Sequence, residues 1–172
     1  TLSAIVKKYG TGLKEHNGDY LASRILLEHP VIGVTAMNVA PEFGLVETEA
    51  LFELAAFEDN FFPDSRSETA RIITRHAIAG ERWRKWMMGD KRTAPAEQIA
   101  ANAEDAALVA KMCGHYTLHD PEVAAAVGRL NDNLARVGID GTNYVVKRIR
   151  DSIDRYAYCF NMYGLSTRLL RA

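Results

Sequence analysis

Lys14, Glu15, His16, Asn17 and Asp19 fall within six consecutive positions, interrupted only by Gly18. That density of proton-handling and hydrogen-bonding groups is the chain's strongest chemical signal. A lysine pairs an anionic group, or acts as a base when burial depresses its pKa. A glutamate beside it can move a proton. Asn17 and Asp19 can contact polar ligand atoms, and Gly18 lets backbone N–H groups approach an oxyanion with no side chain in the way. Asn38, after the apolar run Val31-Ile-Gly-Val-Thr-Ala-Met37, offers a neutral donor in a matching position. Lys14 and Glu15 are the candidate catalytic groups; Asn17, Gly18, Asp19 and Asn38 are the candidate substrate contacts. A structural alternative stands beside this reading. The Lys–Glu–His cluster can plug a strand end, Asp19 can cap the helix that follows, and Asn38 can form an Asx turn.

These residues need elements to position them. Leu2 to Tyr9 reads as a short amphipathic helix that Gly10 ends. Leu13 to His16 reads as a strand and Asp19 to His29 as a helix, with Leu21, Ile25 and Leu26 at helical spacing and Pro30 as its stop. Val31 to Met37 reads as a second strand, apolar enough for burial on both faces. Strand, helix, strand is a βαβ unit, which predicts parallel neighbours joined by a right-handed crossover. In parallel α/β folds, sites gather at the carboxyl ends of strands, where Lys14, His16 and Asn38 stand. Glu42 to Asp59 continues as a helix, with Glu42 and Glu47 favouring its dipole. Beyond Phe61-Phe-Pro-Asp64 the pattern is helical throughout, over about 67–80, 93–113, 121–134 and 142–163. Ser67 is the expected cap of the first of these and Gly80 its stop. Trp83 and Trp86 share a helical face within Arg82-Trp-Arg-Lys-Trp86, which predicts a packed or subunit-facing stripe rather than a nucleic-acid platform.

Two parallel strands cannot close a barrel, and a (β/α)₈ barrel takes roughly 250 residues. The expected fold class is therefore α/β. Residues 1–62 form the last βα units of a TIM-like barrel, and residues 63–172 form a mainly helical carboxyl-terminal subdomain. The chain, which begins at Thr1 within an apparent helix, is expected to be part of something longer.

Composition bounds the function. With 172 residues, 48% of them apolar, the chain can bury a core. A net charge of −1 argues against broad nucleic-acid or anionic-membrane binding. The charge is uneven: residues 1–60 hold four Lys/Arg against nine Asp/Glu (−5), and the remainder holds 17 against 13 (+4). Cys113 and Cys159 read as buried free thiols, which fits a cytoplasmic location.

The run Glu15-His-Asn-Gly-Asp-Tyr20, with Met37-Asn-Val-Ala40, resembles the last two strand–helix units of class II ketose-bisphosphate aldolases. There one strand ends in His-Gly-Gly-Ser-Gly and the next in Lys-x-Asn-x-x-Thr-Asp. The chain is more similar still to their companion family, the non-catalytic subunits of tagatose-bisphosphate aldolase. That similarity extends to Arg82–Trp86, His115-Tyr116 and the closing helix with Tyr156 and Tyr158. The resemblance implies a barrel portion with a helical tail, and an oligomer working in carbohydrate metabolism of the tagatose or galactitol type. By position it implies that His16 is a ligand of a divalent metal such as zinc. It implies that Gly18 belongs to a phosphate loop and that a phosphorylated sugar is the ligand. A catalytic aldolase subunit, or a second copy of this chain, is the implied partner. The sequence departs from the aldolase pattern where Asp19 replaces the serine and Ala40-Pro41-Glu42 replaces the Thr-Asp pair, so an assisting or binding role is implied rather than independent catalysis. Relatives have also been labelled tagatose-6-phosphate kinases, but the chain has no Gly-x-x-x-x-Gly-Lys-[Ser/Thr] loop. The alternative to all of this is a non-enzymatic helical module that binds a partner protein.

Overall fold

The computed structural model describes residues 1–171. Helices dominate it, and two short strands form a single parallel pair. The chain runs α1 (Leu2–Lys8), β1 (Leu13–Glu15), α2 (Ser23–Ile32), β2 (Val34–Met37) and α3 (Pro41–Phe61). After α4 (Thr69–Ala79) come two 3₁₀ turns, Arg82–Lys85 and Gly89–Thr93. Then follow α5 (Ala96–Ala101), α6 (Ala103–Cys113), a 3₁₀ turn Gly114–Thr117, α7 (Pro121–Arg136), α8 (Gly141–Cys159) and α9 (Leu165–Leu169). The residues divide into two compact units: Thr1–Phe43 with Ile149–Ala172, and Gly44–Arg148.

In the first unit, β1 and β2 pair in parallel, with Leu13 opposite Val34, Lys14 opposite Ala36 and Glu15 opposite Met37. The expected βαβ unit is therefore present, but its boundaries differ. Val31 and Ile32 lie in the last turn of α2, not in the second strand, and Pro30 sits inside that helix instead of stopping it. A proline this close to the end removes one amide donor and leaves only a turn behind it. Gly33 then ends the helix at φ 91°, the left-handed conformation that glycine tolerates, and its N–H reaches Pro30 O at 3.2 Å. The second strand is also not buried on both faces, because Thr35 and Ala36 are exposed. Behind the sheet, Leu26, Tyr156 and Cys159 are buried, and Leu21, Met37, Val39, Phe43 and Phe160 pack on them.

The second unit carries two apolar clusters. One joins Leu51, Leu54, Ile72, Ile73, Val123, Leu130 and Leu134. The other joins Ala77, Ile78, Trp83, Met87, Ile99, Val109 and Cys113. Ser67 is not the expected cap: the helix starts at Thr69 with Glu68 at the cap position and no side-chain cap bond, while Ser67 Oγ accepts from Thr69 N–H at 3.3 Å and donates to Glu58 Oε2 at 2.6 Å. Trp83 is buried, and its Nε1 donates to Ile78 O at 2.8 Å. Trp86 is exposed, so the two tryptophans do not share a buried stripe. Trp86 stands at the end of the 3₁₀ turn Arg82–Lys85, with its ring at the surface while that of Trp83 is inside. Both cysteines are free and buried. No helix among the described residues is long and apolar enough to cross a membrane.

Candidate functional site at the strand ends

All seven candidate residues lie in the first unit, at or just past the carboxyl ends of β1 and β2. They divide into two groups with different work.

Glu15, Gly18 and Asp19 are committed to the protein. Glu15 Oε2 lies 2.6 Å from Nε2 of the buried His29, whose Nδ1 lies 2.7 Å from Ile25 O. A carbonyl only accepts, so Nδ1 is the donor to Ile25 O and Nε2 is the ring nitrogen that faces Glu15. Gly18 is buried and donates its N–H to Asn38 O at 2.9 Å. A Cβ at Gly18 would overlap the Met37 thioether, so its lack of a side chain serves packing between the two strand ends. Asp19 does cap a helix, but not the one that follows it. Its Oδ1 accepts from Ala40 N–H at 3.0 Å and Glu42 N–H at 2.9 Å, capping α3 more than 20 residues away in sequence. The helix after it, α2, begins at Ser23 without a side-chain cap.

Lys14, His16, Asn17 and Asn38 are exposed. Their side chains make no hydrogen bond or ion pair among the described residues. Asn17 holds the left-handed backbone conformation, φ 62°, which asparagine tolerates and which turns the chain out of β1. Asn38 continues the ladder through its backbone, N–H to Glu15 O at 3.1 Å, leaving its amide side chain outward. The strand ends thus present a cation, an imidazole and two carboxamides on a backbone held by capping and pairing.

Glu42 is the residue that sequence reasoning missed. It is buried, and its carboxylate gathers four donors: Tyr20 N–H at 2.6 Å, Ser152 Oγ at 3.2 Å, the Arg155 guanidinium and the Tyr156 hydroxyl. Burial alone would raise its pKa. The hydrogen bonds from Tyr156, Tyr20 and Arg155, with the charge of Arg155, outweigh burial and hold the carboxyl below its ordinary value. Burial and the bond to Glu42 push the Tyr156 hydroxyl well up. The Tyr156 hydroxyl also stands 3.1 Å from Gly18 O, sharing its one proton between that carbonyl and Glu42, and Arg155 donates to Leu21 O at 2.6 Å, so the network holds the loop from Gly18 to Leu21. A charge pair this central leaves only a weak trace in sequence, since its partners lie 110 or more residues apart.

A zinc centre takes at least three protein ligands. His16 supplies one, and no group of three His, Cys, Asp or Glu residues that could hold a metal occurs among the described residues. The residues present do not by themselves fit a metal. In the second unit, His76 is held between Asp120 at 3.0 Å and Glu122 at 2.9 Å, a pairing that its position in sequence does not announce.

No protein-family model matches the chain, and neither does any curated protein. Among solved structures, a probable tagatose 6-phosphate kinase from Sinorhizobium meliloti is similar in fold, with a TM-score of 0.72 at 21% identity. The match covers 92% of this chain and 46% of the neighbour's, so the chain spans about half the neighbour's length. What is shared at that identity is the fold: a mostly helical α/β arrangement with a parallel strand pair.

Proposed function

We propose that this chain binds a phosphorylated sugar of the tagatose type at the carboxyl ends of β1 and β2, as part of a larger class II aldolase-like barrel. In that setting it assists a catalytic aldolase subunit rather than turning over substrate alone. One observation carries the reading: Lys14 is an exposed cation with no hydrogen bond or ion pair among the described residues, near His16 and Asn38 at the end of a parallel strand pair, where ligands collect. The two carboxylates that would cancel Lys14 are each occupied. Glu15 is held 2.6 Å from His29 Nε2, and Asp19 faces the amino-terminal amides of α3. Lys14 therefore supplies charge and Asn17 and Asn38 supply neutral donors, while Glu15, expected from sequence to be catalytic, is taken up by His29. Gly18 and Asp19 shape the loop rather than touch the ligand. His16 adds a donor, and becomes a metal ligand only where further ligands come from other strands.

The barrel setting is supported by what the strand pair leaves open. Val31 is 86% exposed and Ile32 59%, both beside a two-stranded sheet with two unpaired edges. The fold neighbour is about twice as long and carries a sugar-phosphate name, which agrees with the ligand class.

Calorimetry with tagatose and fructose bisphosphates tests this, on the full-length protein with and without zinc. A charged hydrogen bond contributes about 1.5–3 kcal/mol, so Lys14→Ala is expected to weaken binding roughly ten- to hundredfold. No binding under either condition, or a Lys14→Ala protein that binds as well as wild type, overturns the proposal.

A further inference from the structure

A cavity of about 280 Å³ lies wholly within the second unit and has no part in the strand-end site. It opens among the end of α4, the 3₁₀ turn Arg82–Lys85 and the turn that leads into α7. Ligand pockets run upward from about 300 Å³, so this one suits a single small metabolite. Its lining is mainly polar and includes His76, Arg82, Cys113, Tyr116, Thr117 and Asp120.

These groups differ in how far the protein itself satisfies them. His76 is fully engaged, with Nδ1 3.0 Å from Asp120 Oδ2 and Nε2 2.9 Å from Glu122 Oε2. Glu122 is paired with Arg75 as well. Arg82 has no hydrogen bond or ion pair among the described residues. Its guanidinium lies 4.7 Å above the Tyr116 ring, a contact that orients the charge without neutralising it. Lys85 faces the same ring from 5.9 Å. Asp120 Oδ1 has no hydrogen bond among the described residues. Thr117 is buried and its Oγ1 donates to Gly114 O at 2.8 Å, so its remaining capacity is to accept. Arg82 and Asp120 thus line one cavity without pairing, a set of unused donors and a set of unused acceptors.

The groups suit binding rather than reaction. Both nitrogens of His76 face carboxylates, so neither is free to take a proton from a ligand. Burial pushes the Cys113 thiol pKa up, which keeps it from acting as a nucleophile. We propose that this cavity binds a small zwitterion of the amino-acid type, with its carboxylate on Arg82 and its ammonium on Asp120 and Thr117. An anion alone would meet the Asp120 charge and leave the acceptors unused, and a cation alone would meet Arg82. A phosphate dianion is disfavoured on the same ground.

Four probes test it by NMR titration of the isotope-labelled full-length protein: L-leucine, 4-methylpentanoate (the same skeleton without the ammonium), 3-methylbutylamine (without the carboxylate) and inorganic phosphate. Leucine is expected to move the resonances of Arg82, Tyr116 and Thr117 with saturation, and the other three to bind at least tenfold more weakly. Arg82→Gln should weaken leucine about tenfold or more and leave 3-methylbutylamine no weaker than before. Arg82 is at the surface, so circular dichroism of that variant should match wild type. Asp120→Asn should abolish the preference for leucine over 4-methylpentanoate. No saturable shift with leucine, binding of 4-methylpentanoate or phosphate as tight as that of leucine, or an Arg82→Gln protein that binds leucine as well as wild type would each overturn the proposal.

Discussion

A single carboxylate, Glu42, decides how the strand-end loop is held. Removing one partner of a buried charge pair costs about 3–5 kcal/mol, because the other is left uncompensated. Glu42→Ala is therefore expected to destabilise the protein by about that much, through Arg155 and Tyr156, and chemical denaturation checks it. Glu42→Gln keeps the shape and loses the charge, so its cost should be smaller. The pH dependence follows from the sign of the shift. A carboxyl whose folded pKa lies below its ordinary value of 4.5 contributes stability that is fully present above 4.5. That contribution is lost as pH falls through the lower folded value. Denaturation midpoints measured from pH 6 downward should fall steeply below about 4.5, and the fall should be shallower in Glu42→Gln. Gly18 acts through packing. Gly18→Ala should cost about 1–3 kcal/mol by pushing on Met37, and a Met37→Ala background should relieve most of that cost in a double-mutant cycle.

At the scale of elements, the two tryptophans of one short run separate cleanly. Trp83 is 1% exposed and hydrogen-bonded to Ile78 O, so Trp83→Ala should cost about 3–5 kcal/mol. Trp86→Ala removes an exposed ring and should cost less than about 1 kcal/mol; urea titration of both variants separates the cases. Sequence pattern alone expected both rings to be packed, but i, i+3 spacing fixes which side of a turn a residue takes and not whether anything covers it. The βαβ unit was legible for a better reason. Two segments of strand length, the second of them apolar, flank a segment of helical spacing, and parallel pairing is what that order dictates. Its boundary was not legible, because β-branched Val31 and Ile32 after a proline look like strand, yet Gly33 can end α2 only beyond them. The polar cluster at residues 14–19 was legible as a cluster. The division of labour within it was not, since the partners that occupy Glu15 and Asp19 come from other elements: His29 of α2 and the amino terminus of α3.

For the whole molecule, the two units hold very different amounts of core. The first buries Leu26, Tyr156 and Cys159 as its apolar centre, whereas the second buries two clusters of eight. The free thiols report on them separately: Cys159 lies in the first unit and Cys113 in the second, where burial pushes its thiol pKa up. Pulsed alkylation across a urea gradient, read by mass spectrometry, should label Cys159 at lower denaturant than Cys113. Identical midpoints would mean that the units open together.

The central claim is that an anionic sugar binds above the ends of β1 and β2, and chemical-shift mapping on the isotope-labelled full-length protein tests it most directly. Titration with tagatose bisphosphate should move the amide and side-chain resonances of Lys14, His16, Asn17 and Asn38, with saturation, while those around Trp86 stay in place. Shifts confined to other residues, or no shifts at all, would contradict the claim.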